Sequence, residues 1–177
     1  MRLAVLLAIG LVGQPTTTGG LPPIERHHVG AVAIGADAPK IYKAFSADRR
    51  ELVDLGLEGM LSPALLLRFV GATQRDGVVA ELVADGNGLT VWRVEIRDPG
   101  FRTLQNIGVG STVGQLRSAY RLNAVLSGEG NVVLRVEELS ASFVLDRNGP
   151  NGDQLAQLRT PAEVPDSVTI ERVLLTK

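Results

Sequence analysis

Few residues in this chain have the type and spacing that chemistry requires. The stretch "GVGST", Gly108–Thr112, has glycines where a phosphate-binding loop would have them. A phosphate loop needs G-x-x-x-x-G-K-[ST], so that the lysine joins the backbone amides on the phosphates, and no lysine comes after these glycines. A dinucleotide fingerprint needs a third glycine, and Val113 stands at that position. Gly110 therefore reads as a tight turn into a helix, and no cofactor is expected. The only histidines, His27 and His28, are adjacent. Neighbours on an extended chain point to opposite faces, so they rarely share an ion, and they read as solvated side chains at the end of a linker. Asp146, Asn148, Asn151 and Asp153 make an oxygen-rich loop, but Pro150 breaks the helix-loop-helix calcium spacing. Asp146, Asn148 and Asp153 are the metal candidates. A hydrolytic triad needs a histidine held beside a nucleophile and a carboxylate, and no G-x-S-x-G occurs. The expectation is a protein that is not an enzyme.

Binding is the better prospect. Trp92 is the single tryptophan. It shares a period-two alternation with Val94 and Ile96, which predicts core packing. Facing outward, it would be the best binding anchor in the chain. Arg93, Glu95 and Arg97 occupy the opposite phase and predict a wet face. Arg68 ends a similar alternation of Leu65, Leu67 and Phe69 with Leu66. Trp92, Arg93, Arg97 and Arg68 are thus the binding candidates.

Composition narrows the partners. Of 177 residues, 45% are apolar and 21% charged, which suffices for a real core, and aromatics at 4% leave that core to Val, Leu, Ile and Ala. Eighteen basic against nineteen acidic residues give a net charge of −1 with no basic run, so nucleic acid is not an expected partner. There is no cysteine, which excludes disulfides, thiolate metal sites and thiol nucleophiles.

The beginning has the three-part layout of a secretory signal. Met1-Arg2 is positive, Leu3–Val12 is almost wholly apolar, and Gln14–Gly20 breaks the run. That apolar run is far short of the ~20 residues that span a bilayer, so no transmembrane segment is expected after signal removal. Gly13 or Gly19 would be the last residue removed. Residues 1–19 are read as signal and 20–27 as linker, with the mature protein periplasmic or secreted.

The remainder repeats itself. Ile34-Gly35 matches Val109-Gly110, and 109 − 34 = 75. At the same offset Asp37 meets Thr112, Ile41 meets Leu116, Ala44 meets Ala119 and Phe45 meets Tyr120. Arg93-Val94 matches Arg172-Val173 at an offset of 79, so the second copy has gained residues, most naturally at 146–165. Two copies are expected, 28–103 and 104–177. Each opens with a short strand, Ala31–Ile34 or Asn106–Val109. A glycine then turns the chain into a short helix capped by Asp37 or Thr112, the latter with Gln115 as a capping box. Ile41, Ala44 and Phe45 mark one helix face. Beyond each helix the chain alternates with period two, as in Val53–Glu58, Trp92–Arg97 and Leu139–Leu145, with a less cleanly alternating strand at Val78–Ala84, and predicts an antiparallel meander. The fold class is therefore α+β: two tandem strand–helix–antiparallel-meander copies, short helices on one face of the sheet.

This paired outline, an x-I-x-x-G turn, a capped helix ending in Phe45 or Tyr120, then a meander, resembles tandem-repeat exported bacterial modules of the β-lactamase-inhibitor-protein type. Single related copies occur in small outer-membrane lipoproteins of the barrel-assembly machinery. The chain has no cysteine, unlike the lipoproteins and the disulfide-bearing inhibitor, so neither specific function carries over. The resemblance implies an exported interaction fold whose partner is a protein or envelope component. The alternative expectation is a small-molecule carrier or sensor with an apolar pocket between sheet and helices, lined by Leu65, Leu67, Phe69 and Trp92.

Overall fold

The computed structural model describes residues 20–57, 60–74, 77–86, 88–128, 130–149 and 152–177. The signal-like beginning, residues 1–19, lies outside the described residues. Three two-residue strands come first, β1 (Ile24–Glu25), β2 (His28–Val29) and β3 (Val32–Ala33), paired antiparallel in that order. Part of this stretch reads as linker in the sequence, yet Ile24 is buried, because its backbone amide donates to the Arg102 carbonyl at 2.8 Å and its side chain joins the core.

The chain then runs twice through one order of elements. The first pass is α1 (Ala38–Ala44), β4 (Arg50–Leu57), β5 (Met60–Leu67), β6 (Val78–Ala84) and β7 (Leu89–Ile96). The second is α2 (Val113–Ala119), β8 (Ala124–Gly128), β9 (Asn131–Val136), β10 (Ala141–Leu145), the one-turn helix α3 (Gly152–Leu155) and β11 (Ile170–Leu175). The eight long strands form one antiparallel sheet in the order β4-β5-β6-β7-β11-β10-β9-β8. The last strands of the two passes therefore meet at the centre.

The register at that seam is symmetric. Glu95 faces Leu174, and these are equivalent positions at the offset of 79. Each seam strand has a bulge at the matching place: Trp92 is the extra residue between Glu81↔Arg93 and Leu82↔Val91, and Glu171 the extra one between Val144↔Arg172 and Leu145↔Ile170. The turns into the helices match as well. Gly35 N donates to Val91 O at 2.7 Å, and Gly110 N to Ile170 O at 2.7 Å. The isolated bridges Asp37↔Thr90 and Thr112↔Thr169 repeat the correspondence.

The helices show where local sequence succeeds and where it is overruled. Thr112 and Gln115 form the expected capping box, with Thr112 Oγ1 accepting from Gln115 N at 3.2 Å and Gln115 Oε1 from Thr112 N at 2.9 Å. Asp37 holds the N-cap position of α1, but its carboxylate takes Lys40 Nζ at 2.6 Å and caps no amide. The buried face of α1 is Ala38 and Ile41, continued by Phe45, while Ala44 is exposed. The opening strand expected at Asn106–Val109 is not formed. Asn106 adopts a left-handed φ of 62°, and Gly108 is pressed so close to the chain that a Cβ there would lie 2.3 Å from the Phe101 carbonyl oxygen. The strand predicted over Leu139–Leu145 is β10 alone, since Glu137–Leu139 is a 3₁₀ turn ended by Ser140 at φ 49°.

One face of the sheet carries the core. Leu65, Ala80, Val94, Ile96, Val173, Phe143 and Leu134 are all buried there. Buried side chains of all three helices and of β1–β3 belong to the same apolar cluster, which places every covering layer on this inner face. Phe45, Phe69 and Phe101 stack edge to face beneath them, at 5.0 and 5.1 Å between ring centres. Phe69, Leu65 and Leu67 are thus core residues and share no cavity with Trp92, which emerges on the other face. No α-helix among the described residues joins the core from the outer face, although Val79 and Val144 there are 0% and 1% exposed.

Candidate functional site

Two groups of charged side chains dominate the outer face. The first stems from the β7 bulge. A bulge inserts one residue and re-aims its neighbours, so Val91 and Val94 both point inward while Trp92 and Arg93 share the outer side. The core position expected for Trp92 is accordingly corrected: it is 38% exposed. Arg93 lies directly opposite Glu81 and grips it with two hydrogen bonds, Nε to Oε1 at 2.7 Å and Nη2 to Oε2 at 2.8 Å. The same guanidinium lies 4.6 Å from the centre of the Trp92 ring. Glu81 is 1% exposed and stands between Ala64 on β5 and Arg93 on β7.

The second group surrounds the seam. Glu95 stands between Val79 on β6 and Leu174 on β11. Its Oε1 accepts from Arg97 Nε at 2.7 Å and from Arg172 Nη1 at 3.3 Å. Burial alone would raise the Glu95 pKa; the bonds and charges of Arg97 and Arg172 outweigh it and hold the carboxyl below its ordinary value. Arg172 also donates to Asn131 Oδ1 at 2.7 Å. Arg135 extends the polar row, donating to Thr176 Oγ1 at 3.0 Å and Ser142 Oγ at 3.4 Å.

Arg68 approaches Arg97 from the far side, in the row next to that of Glu95 and Arg135. It comes just after the Leu67↔Val78 pair and so stands beside Gly77, whose carbonyl accepts from Arg97 N at 2.9 Å. Arg68, Arg97 and Arg172 thus occupy one lateral row of the outer face, with side-chain-free Gly77 as the gap. All four binding candidates lie on this face, in two groups: Trp92 with Arg93, and Arg68 with Arg97. Sequence reasoning missed the carboxylates that organise them. Glu95 reads as part of a wet stripe but is 5% exposed. Glu81 was legible, since it interrupts the apolar run "VVAELVA", where a lone charge needs a buried partner.

The other sequence candidates lie elsewhere. Asp146 Oδ1 accepts from Asn148 N at 2.8 Å, and Oδ2 takes Thr169 Oγ1 at 3.5 Å, so both oxygens have partners in the turn. Asn151 and the Asp153 side chain lie outside the described residues. Among the described residues no three His, Cys, Asp or Glu side chains converge as a metal set would. His27, at a left-handed φ of 66°, bonds the Thr176 carbonyl through Nδ1 at 3.1 Å, and His28 faces Glu25 at 3.2 Å. In the glycine loop, Gly108 N donates to Ser111 Oγ at 3.1 Å, Val113 N to Val168 O at 2.8 Å and Gly114 N to Asp166 O at 3.0 Å. With Gly110 N on Ile170 O, these amides are committed to internal acceptors and do not point at a ligand.

A buried acid with a structural task lies nearby. Asp98 accepts from Thr73 N and Gln74 N, both at 2.6 Å, and from Gly100 N at 2.7 Å. Burial would raise its pKa, but the donors at Gln74, Gly100 and Thr73 lower it below the ordinary value. It ties the 68–77 connection to the turn after β7.

A further opening lies on the inner side, where α1 leaves part of the sheet bare. This cleft of about 420 Å³ is lined by Ala38, Pro39, Tyr42, Lys43, Leu52, Leu65, Leu82 and Leu89. Leu52 is 59% exposed and Tyr42 40%. No helix among the described residues is long and apolar enough to cross a membrane.

No protein-family model matches the chain, and no curated protein matches it in sequence. In structure it is similar to the uncharacterized protein yfeY from Escherichia coli, with a TM-score of 0.60 over 88% of this chain and 99% of that one. The two are 11% identical, so the likeness concerns the fold alone.

Proposed function

We propose that this protein is an exported, non-enzymatic binding protein that engages a protein or envelope component through the outer face of its sheet. The observation that carries the reading is the chain's only tryptophan, 38% exposed at the β7 bulge beside Arg93 on the face away from the helices. Tryptophan and arginine are the residues in which interfaces concentrate binding energy. Arg93, Arg97 and Arg172 are held by Glu81 and Glu95, so their guanidinium groups are already oriented and lose little freedom on binding. Export is supported by the signal-like sequence of residues 1–19, and the interaction role by the resemblance to tandem exported modules.

The test is capture from envelope extract by the full chain at several salt concentrations, repeated with Trp92→Ala/Arg68→Glu. The expected result is a saturable, salt-sensitive partner that the double variant loses. A chain that captures nothing saturable, or a variant that captures equally well, overturns the reading.

The second reading, a carrier of small apolar molecules, is favoured by the cleft beside α1, whose walls are almost entirely hydrocarbon. Saturable uptake of a fatty-acid probe, lost on Leu52→Glu, is what that reading requires.

A further inference from the structure

The two passes of the chain show what covers such a cleft. By the seam correspondences, the walls Ala38, Pro39 and Tyr42 of α1 are equivalent to Val113, Gly114 and Arg117 of α2. The sheet floor Leu82 and Leu89 is likewise equivalent to Leu145 and Val168. Leu82 and Leu145 are buried alike, at 2% and 0% exposure, and the passes differ at the next floor position, where Val168 is 6% exposed and Leu89 is only half-buried. The cover is the connection between β10 and β11, residues 146–169, whereas β6 and β7 are joined by residues 85–88 alone.

The cover grips α2 in detail. Arg117, the counterpart of Tyr42, donates to Pro161 O at 3.0 Å and Val164 O at 2.9 Å and pairs with Asp166. Gly114, the counterpart of Pro39, lets the segment approach until a Cβ would lie 3.0 Å from Asp166 Cβ. Two aliphatic anchors, Leu155 at 0% and Val164 at 1% exposure, enter the core from this segment. The first pass has the helix wall and the sheet floor but no cover, and Leu52, Tyr42 and Leu89 are left at the surface or half-buried.

We propose that the cleft between α1 and β4–β7 is a docking site for a short acidic segment of a partner polypeptide. It would carry aliphatic anchors and occupy the place that residues 152–168 occupy on the second pass. Charge complements shape at the rim. Lys43 lines the cleft and the Arg50 guanidinium lies 3.8 Å from the centre of the Tyr42 ring, while Lys40, one turn back, is paired with Asp37. The chain's own cover is acidic in kind, with Asp153, Glu163 and Asp166 against Arg159. This site lies on the opposite face from Trp92 and rests on the correspondence of the two passes, so it and the outer-face reading fail separately.

The experiment selects displayed sixteen-residue random peptides on the full chain and measures the enriched ones, labelled with fluorescein, by anisotropy. Enriched peptides are expected to combine Leu, Ile or Val anchors with a net negative charge. Leu52→Glu, a change at an exposed position that leaves folding intact, should weaken them at least tenfold. Lys43→Glu should weaken them about fivefold, and Trp92→Ala should leave them unchanged. Basic or unanchored peptides, no enrichment, or binding indifferent to Leu52→Glu each overturn the proposal. So does a dodecanoate probe that binds and is lost with Leu52→Glu while no peptide does, which would instead make the cleft a lipid pocket.

Discussion

The Glu81–Arg93 pair makes an unequal prediction for its two partners. Removing one member of a buried ion pair leaves a charge without compensation and costs about 3–5 kcal/mol, whereas replacing both with apolar groups of similar volume is often neutral or stabilising. The structure decides where each single variant falls in that range. The Arg93 side chain is 23% exposed and its head reaches the outer surface, so Glu81→Met leaves a cation that water can solvate. That variant should lose about 3 kcal/mol, the low end. The Glu81 side chain is 1% exposed, so Arg93→Met strands a carboxylate with no route to solvent and should lose about 5 kcal/mol. The double variant Glu81→Met/Arg93→Met should come within about 1 kcal/mol of the parent. In urea, with a slope of about 2 kcal/mol/M, the single variants shift the midpoint down by about 1.5 and 2.5 M, and the double variant by under about 0.5 M. Circular dichroism reads the transition, and the fluorescence of Trp92, which Arg93 overlies, reads the site itself. Two single variants that each cost under about 1 kcal/mol, or costs that simply add in the double variant, would refute the view that this pair is enclosed and coupled.

Other consequences can be checked alongside. Glu95 and Asp98 have folded-state pKa values below their ordinary ones, so the unfolded chain binds more protons as the pH drops. Their contribution is complete above the unfolded carboxylate range, near pH 4–5, and is lost as pH falls through the lowered folded values; a urea midpoint flat from pH 8 to 3 would contradict this. Asp98→Asn should lower stability by about 1–3 kcal/mol at neutral pH and flatten that acid decline, because the amide cannot accept from Thr73, Gln74 and Gly100 at once. Leu155→Ala should cost about 2–5 kcal/mol, while Leu61→Ala, at a position 75% exposed, should stay within about 0.5 kcal/mol in the same melts. Gly108→Ala should destabilise by about 1–3 kcal/mol through its clash with the Phe101 carbonyl, and Gly128→Ala, with nothing within 4 Å of the new methyl, should not.

Much of the architecture is written locally. Period-two alternation marks β9 at Asn131–Val136 and part of β7, since a sheet with one packed face forces apolar side chains into every second position, whereas β6 is buried from Val78 through Leu82 without alternating. The Thr112/Gln115 box marks the start of α2 because both bonds lie within four residues. The offset between Ile34-Gly35 and Val109-Gly110 locates the matching turns. The net gain of four residues in the second pass was also visible, but not its composition. The second pass has only Glu137–Ser140 between β9 and β10 where the first has residues 68–77 between β5 and β6, and it more than regains the loss at residues 146–169.

What the sequence alone determined is the α+β class, the helix turns and the phase of β5, β9, β10 and the end of β7, all set by neighbours a few residues apart. Tertiary structure decided the rest, because it depends on which strands become neighbours. Pairing β7 with β11 put Glu95 on the seam between two arginines 75 positions apart, Arg97 and Arg172. One inserted residue, relative to β6, swung Trp92 from its expected inward phase to the surface. The cleft beside α1 stands in contrast to the covered α2, since residues 85–88 are all that join β6 and β7. A chain read along its length cannot show that contrast, since packing against distant segments is what creates it.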